Sequence, residues 1–459
     1  RYDVLLAFNP AALKVNLPST KEGAVILVNE DSFNQRAFDK AAIKENPLMS
    51  PEMAKYRLVK IPMTTLTQKA MGSLAIGPKE ADRCKNFFAL GVLLRLFNQS
   101  PDYTHKWIDK KFKSKPLFLE ANKLALEAGR QFVETSGLFP KTFKTKHDGR
   151  KMPAGAYRNI TGNTAAALGL IAAAQKAKMN LFLGSYPITP ATDILHELVK
   201  HKDFVTVFQA EDEIAAIGSA IGASFGGSLA VTTTSGPGFS LKAEFMNLAV
   251  ITELPLIIVD VQRAGPSTGI PTKTEQSDLG QALYGRHGES PVVVMAPGSP
   301  KDCFNIMLEA AKVATKYMTP VIVLSEGYLG NGSEVWKVPT LSELPEIPVK
   351  FVTNPEGYQP YKRNPDTLAR PWAIPGTPKL EHRLGGLEKE DGPGNVSSAG
   401  PNHEKMSNLR AEKITRVAQE IPPTETYGAK DAELLVLGWG GTEGTIKNAV
   451  RNLTRKGHK

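Results

Sequence analysis

Three consecutive acids, Glu211-Asp212-Glu213, open an apolar stretch, IAAIGSAIGASFGG, in which Gly218, Gly222 and Gly226 recur every fourth residue. Acids favour the first turn of a helix, where free amides carry partial positive charge, by about 0.3–1 kcal/mol each. That accounts for where the acids stand but not for the glycines. Each interior helical glycine costs about 1 kcal/mol relative to alanine. A row of three therefore predicts that another backbone or a ligand comes close to that face, and the row reads as an interface. Three more segments suited to binding follow apolar runs. Thr234-Ser235-Gly236-Pro237-Gly238 follows LAVTTT, Tyr186-Pro187-Ile188-Thr189-Pro190 follows LFLGS, and the loop from Gln262 through Arg263 to Thr272 follows PLIIVDV. A turn of small residues lets a ligand reach the amides that start the next helix, although TSGPG taken alone is an ordinary strand-to-helix turn. Arg263 offers a planar fork for a carboxylate, while Thr189 and Thr272 offer hydroxyls for a carboxylate or keto oxygen. The plainer use of Arg263 is an ion pair with Asp260 or Glu275. Its setting in a Gly/Pro/Ser/Thr loop beyond a strand favours binding instead. His287, in GRHGES, fits a hydrogen-bond donor near the site and an ordinary satisfied histidine equally well.

The elements that must position these residues follow from periodicity. From residue 161 to about 326, six short apolar runs (LFLGS, DFVTVF, LAVTTT, PLIIVDV, PVVVMA, TPVIVLS) alternate with helical stretches. That alternation predicts an α/β fold with a doubly wound parallel sheet, whose ligands sit beyond the carboxyl ends of the strands. Residues 3–8, 23–29 and 56–63 read as buried parallel strands, followed by helices at about 80–97, 104–113 and 116–135. Residues 1–135 thus form a smaller α/β unit that reads as lacking its beginning. Residues 136–160 lose periodicity and read as a linker, and 161–335 form the main domain. The segment 336–427 is rich in Pro and Gly, with one helix near 403–419; a loop of that length is normally functional or wrapped on a partner. At 428–459, AELLVLGWGGTEGTIKNAV predicts a strand, a glycine turn and a helix that begin a further, truncated domain. The turn lacks the full dinucleotide-binding register.

Composition narrows the function classes. The 459 residues are 41% hydrophobic and 22% charged, the profile of folded globular domains rather than of disordered or fibrous chains. The greasiest stretch, 165–177, is broken by Gly169, Gln175 and Lys176, so no membrane span is expected. Cys84 and Cys303 are too few for an iron–sulfur cluster or a zinc cage. With no disulfide framework and no leader before the first strand, the chain reads as cytoplasmic and as cut from a longer protein. The net charge of +10 lies in the first third, where residues 1–151 hold 26 Lys and Arg against 15 Asp and Glu. Its densest part (Lys106, Lys110, Lys111, Lys113, Lys115) reads as a solvated helix face. No nucleic-acid motif accompanies it, and no nucleic-acid partner is expected.

The acid–glycine helix with the TSGPG turn resembles the pyrimidine-binding half of thiamin diphosphate enzymes. YPITP and the R-x-G-P-S-T-G-x-P-T loop narrow the resemblance to the α-subunit of 2-oxoacid:ferredoxin oxidoreductases, nearest the 2-oxoglutarate type. NPAALKVNL and VNEDSF resemble that family's fused γ-domain, and 428–459 resembles the start of its transketolase-C-terminal-like domain. The resemblance implies that Glu213 hydrogen-bonds the aminopyrimidine and favours its imino tautomer, which is general acid–base work. It places Tyr186, Pro187, Ser235, Gly236 and Gly238 at the cofactor. Arg263 and Thr272 would hold the substrate carboxylate, with Thr189 near the reacting carbonyl. No GDG motif for Mg²⁺ and diphosphate occurs in the chain, so the resemblance implies a β-subunit that shares the thiamin diphosphate and carries Mg²⁺ and an iron–sulfur cluster. It further implies coenzyme A as co-substrate, ferredoxin as electron acceptor and an α2β2 assembly. No metal site is expected on this chain. A thiamin enzyme without electron transfer, or one specific for pyruvate or a branched-chain 2-oxoacid, is the alternative.

Overall fold

The computed structural model describes residues 1–139, 142–143 and 152–458. The chain divides into two compact units, Arg1–Met152 and Pro153–Lys459. Much of the expected linker lies outside the described residues.

The first unit carries a parallel sheet of order β1-β2-β3, formed by Tyr2–Ala7, Thr20–Asn29 and Arg57–Ile61. Helices α1 (Pro10–Asn16) and α2 (Gln35–Lys40) follow the first two strands. After the third come α3 (Met63–Ala70), α4 (Pro78–Asp82), α5 (Lys85–Leu96), α6 (Asp102–Lys111) and α7 (Pro116–Thr135). Alternate strand residues feed opposite cores. Val25, Leu27 and Val59 pack with Phe88, Val92 and Ala125 from α5 and α7, whereas Leu5, Ile26 and Val28 pack with Leu13 of α1. The single helix expected at 80–97 is two, because the chain turns at Arg83-Cys84 and buries the thiol.

The second unit holds the predicted doubly wound sheet. Strand β4 (Tyr157–Thr161) and helix α8 (Gly162–Ala177) lead into β5 (Leu181–Ser185), α9 (Thr192–Leu198), β6 (Val205–Gln209), α10 (Glu213–Phe225) and β7 (Leu229–Thr234). Then come α11 (Gly236–Leu241), α12 (Ala243–Thr252), β8 (Leu256–Gln262), α13 (Leu279–Tyr284), β9 (Val293–Met295), α14 (Asp302–Tyr317) and β10 (Pro320–Glu326). All six central strands are parallel, in the order β6-β5-β7-β8-β10-β9. Their runs are continuously apolar because both faces are covered. Ile257, Val259 and Val261 face α8, α9 and α14, while Leu256 and Ile258 face α10, α12 and α13. The strand order reverses between β5 and β7, which makes their carboxyl ends the topological switch point.

Two expectations are corrected, the end of the linker and the strand in AELLVL. The linker does not run to residue 160, since β4 pairs antiparallel with β11 (Ser333–Lys337), where Arg158 and Trp336 are register partners. The segment after β11 packs in part onto its own domain: Trp372 is buried with Met318 and Ala369, and α16 (Gly400–Val417) packs alongside α14. The strand expected in AELLVL does not form. No neighbouring strand pairs with it, and Leu434, Leu435 and Leu437 stay exposed, before α17 (Glu443–Thr454) ends the described chain. Among the described residues, a side chain at Gly218 would touch only the Phe245 ring and one at Gly222 nothing at all, so that face of the helix is not filled by this chain's own backbone. Among the described residues no helix is long and apolar enough to cross a membrane.

Candidate active site at the strand ends

Glu213 begins α10, and of the three neighbouring acids it alone is buried. Asp212 is the helix cap, its Oδ1 accepting from the Ala215 amide at 2.7 Å, and Glu211 is exposed. The Glu213 side chain lies against the TSGPG turn. A Cβ built on Gly238 would stand 2.2 Å from Thr234 Oγ1 and 3.0 Å from Glu213 Oε1, so only glycine permits this approach. Ser235, fully buried, precedes α11 in extended conformation, and its hydroxyl has no partner.

Lys242 was not singled out by the sequence, where it looks like a surface lysine ending a short helix. It is fully buried and donates from Nζ to the Glu213 carbonyl at 2.7 Å, bracing the first turn of α10. Burial pulls its ammonium down to about 8, against the opposing pull of Glu213 and Asp212. Asp260 was read only as a possible ion-pair partner of Arg263. An acid inside the otherwise apolar run PLIIVDV was the available signal.

Arg263, at the end of β8, is 7% exposed and reaches across the switch point. Its Nη1 donates to the Thr189 carbonyl at 2.7 Å. Its Nε is buried without a partner. Neither expected ion pair forms: Glu275 accepts instead from the Gly265 amide at 2.8 Å, and Asp260 lies beside Asp278. The YPITP loop is pinned from a second side by Asn163 of α8, which donates to the Pro190 carbonyl at 2.9 Å. Tyr186 and Thr189 are exposed there, with Pro187 half-buried between them. The 264–273 excursion closes on itself through Ala264 and Ile270, and Thr272 is exposed on it with no hydrogen-bond partner among the described residues. The fold thus gathers Glu213, Ser235, Gly236 and Gly238 around one turn and ties Arg263 to Thr189, but among the described residues no hydrogen bond joins Thr272 or Tyr186 to them. His287 is exposed, held by Asn247 Nδ2 at 2.6 Å, and no contact links it to Glu213 or Arg263.

The glycine turn 438–441 also reaches this end of the sheet. The Trp439 carbonyl accepts from Gln276 Nε2 at 3.2 Å, and Gly441 lies against the Glu326 carboxylate at the end of β10. Both cysteines are buried, Cys84 in the first unit and Cys303 near Ser325 and Glu326 at the end of β10, and burial pushes Cys84 up to about 11 and Cys303 to about 12, so neither is a thiolate near neutral pH. A groove of about 510 Å³ between α9 and edge strand β6 contains none of the predicted residues.

With this geometry in place, the chain can be compared with known proteins. Residues 172–399 match the family described as "Pyruvate flavodoxin/ferredoxin oxidoreductase, thiamine diP-bdg", and residues 1–132 match "Pyruvate ferredoxin/flavodoxin oxidoreductase". The whole chain is 50% identical to the 2-oxoglutarate oxidoreductase subunit KorA of Mycobacterium tuberculosis and covers 70% of its length. The chain belongs to the 2-oxoacid:ferredoxin oxidoreductase α-subunit family. The 2-oxoacid:ferredoxin oxidoreductase subunit alpha of Saccharolobus solfataricus is 32% identical over 88% of this chain, which spans 64% of that relative. A solved 2-oxoglutarate:ferredoxin oxidoreductase from Magnetococcus marinus, with 2-oxoglutarate, coenzyme A and succinyl-CoA bound, matches the whole chain and 75% of its own. The TM-score is 0.83 at 31% identity. The family is one of oxidoreductases, and its naming of an α-subunit implies a β-subunit partner.

Proposed function

We propose that this chain is the α-subunit of an enzyme that oxidatively decarboxylates 2-oxoglutarate to an acyl-coenzyme A and CO₂ and passes electrons to ferredoxin. The carrying observation is the cluster at the switch point: a buried carboxyl lies against a glycine turn, and one strand away a buried arginine is braced at Nη1 and open at Nε. The 2-oxoglutarate preference is supported by the names of the KorA relatives and by the ligands of the Magnetococcus structure.

The residues fit a thiamin diphosphate pyrimidine, because buried polar atoms at the strand ends (Ser235 Oγ, Arg263 Nε) lack partners among the described residues. Such atoms are costly unless a ligand or water completes them. When bound, the cofactor supplies the nucleophilic carbon and the electron sink that decarboxylation of a 2-oxoacid needs. Glu213 would hold the ring nitrogen and exchange a proton with it, kept in place by Lys242. Gly238 lets the ring approach, and Ser235 and Gly236 present the turn, with Tyr186 and Pro187 on the facing loop. Arg263 would capture the substrate carboxylate through its open edge, while its bond to the Thr189 carbonyl fixes the fork and the loop together. Thr189 and Thr272 are proposed to complete the substrate pocket by hydroxyl donation.

Among the described residues no group of three His, Cys, Asp or Glu side chains converges as for a metal ion. Mg²⁺, the diphosphate clamp and the iron–sulfur cluster are assigned to the β-subunit in an α2β2 assembly, with coenzyme A as acyl acceptor.

The test is ferredoxin reduction by the complex co-purified with its β-subunit, assayed with 2-oxoglutarate, pyruvate and 2-oxobutyrate. Reduction that requires coenzyme A and is fastest with 2-oxoglutarate is expected. Faster turnover of pyruvate would reassign the substrate, and decarboxylation without ferredoxin reduction would overturn the electron-transfer reading.

A further inference from the structure

Asp260 lies on β8 with its carboxyl fully buried, in register with Thr234 on β7 and Leu324 on β10. Both of its oxygens lack a hydrogen-bond donor. The group it meets is Asp278, the residue before α13, whose Oδ2 is also buried and undonated. The Thr232 and Ser235 hydroxyls on the neighbouring strand end make no bond to either carboxyl, and two further donors are directed elsewhere. Gln262 gives its amide hydrogen to the Ser325 carbonyl at 2.9 Å and accepts the Asp278 amide at 3.1 Å, and the Thr234 hydroxyl is directed at the Ser235 carbonyl. Asp278 in turn supports the cofactor turn from beneath. A Cβ on Gly236 would stand 3.0 Å from Asp278 Oδ2 and 3.2 Å from Oδ1.

Asp278 Oδ1 takes one long bond, from Ser277 Oγ at 3.5 Å, which leaves its Oδ2 and both Asp260 oxygens without a donor. A carboxylate only accepts hydrogen bonds, so the two carboxylates repel in a dry site. One proton removes both costs by turning one oxygen into a donor to the other. The titratable groups on the elements packed around the pair are Glu275 before α13, Glu213 on α10, Lys242 before α12 and Glu326 at the end of β10. Neither nearby cation pairs with the two carboxyls: Lys242 is committed to the Glu213 carbonyl and Arg263, at the end of β8, donates to the Thr189 carbonyl, while the acid Glu275 adds negative charge beside Asp278.

We propose that Asp260 and Asp278 hold one proton between them at neutral pH and, so joined, position the Ser235–Gly238 turn from beneath. The positioning role rests on the proposed reading of that turn as cofactor-bearing, whereas the shared proton does not. Burial drives the Asp260 carboxyl well above the usual aspartate range, and that of Asp278 upward as well. When the shared proton leaves at alkaline pH, repulsion between the two carboxylates pushes Asp278 against the turn, and cofactor affinity falls.

The experiment compares the αβ complex with its Asp260→Asn and Asp278→Asn counterparts, all carrying side-chain ¹³C-labelled aspartate. Infrared spectra at neutral pH are expected to show a protonated-carboxyl band in the parent that disappears in Asp260→Asn. No such band in the parent overturns the shared proton, and this readout needs no cofactor. Calorimetric titration with thiamin diphosphate and Mg²⁺ reads the positioning. Parent affinity is expected to fall by up to about tenfold per pH unit on the alkaline limb, the slope for loss of one proton. In Asp260→Asn that limb should be absent, because an amide keeps its hydrogen. An unchanged limb overturns the positioning role while leaving the infrared result standing. Should Asp260→Asn not fold, Asp278→Asn at the less buried member carries both readouts. A parent complex that binds no cofactor would count against the reading of the turn and not against the shared proton.

Discussion

Glu253 and Asp260, seven residues apart, are both fully buried acids, yet the chain treats them in opposite ways. Glu253 ends α12 in a left-handed conformation and meets cations on every side. Arg363 pairs with both of its oxygens, and Lys413 Nζ donates to Oε2 at 2.6 Å. Arg370 donates to its main-chain carbonyl at 3.0 Å. Burial alone would raise this carboxyl, but Lys413 and Arg363 outweigh it and hold the group at about 2. Asp260 has only another acid. Arg363, Arg370 and Lys413 all come from the long Pro/Gly-rich stretch and its helix, so the ion cluster around Glu253 fastens that stretch to the domain. Asp260 lies on the strand that leads into the candidate site. Both oxygens of Glu253 are thus matched by cations, whereas both oxygens of Asp260, beside the candidate site, have no donor among the described residues.

Three substitutions break or sharpen this contrast, from the largest effect to the smallest. Glu253→Gln leaves Arg363 and Lys413 as under-compensated buried cations and should cost about 3–5 kcal/mol of unfolding free energy, the cost of breaking a buried ion pair. Denaturant unfolding measures it, and a loss near zero would dissolve the distinction. The sign with pH follows from the depressed carboxyl. Stability from Glu253 is complete above its ordinary value of 4.5 and drains as pH falls toward about 2.

Arg263 combines both kinds of burial, since one nitrogen is satisfied by Thr189 and another is open. Arg263→Ala should weaken 2-oxoacid binding about tenfold or more, given roughly 1.5–3 kcal/mol for a hydrogen bond to a charged group. Steady-state kinetics should show pyruvate, 2-oxobutyrate and 2-oxoglutarate weakened together. Loss confined to 2-oxoglutarate would assign Arg263 to its distal carboxylate.

The smallest effect belongs to Asp260. Its folded carboxyl is raised, so the native state holds a proton that the unfolded chain releases near 3.8, and stability declines as pH rises above that value. The slope is at most about 1.4 kcal/mol per pH unit. Asp260→Asn should flatten this decline in thermal melts taken across the neutral range. A parent with no decline would mean that Asp260 has a counter-charge after all.

The sheet was legible because its strands are continuously apolar and its helices regular, and the motif positions followed from the ends of those runs. Glu213 was singled out only by what the resemblance implies, and the structure adds that it is the one buried acid of its trio. Lys242 was not legible: a lysine's burial depends on a carbonyl 29 residues away in sequence. The anchoring of the long loop was equally hidden, because Arg363 and Lys413 reach Glu253 over 110 and 160 residues. The run AELLVL misled in the other direction, for strand-type side chains make a strand only where a neighbour offers hydrogen bonds.

The central claim is that the open cluster at the strand ends, with Glu213 at its centre, carries the chemistry. Turnover of Glu213→Gln in the αβ complex at saturating 2-oxoglutarate tests it most directly, because the amide keeps the size of the side chain and removes its proton exchange. Turnover should fall by about 10²–10⁴, the usual contribution of a general acid–base residue, with KM for the 2-oxoacid little changed. Turnover near the parent value would contradict the claim and move the role to Glu211 or Asp212, or off this helix.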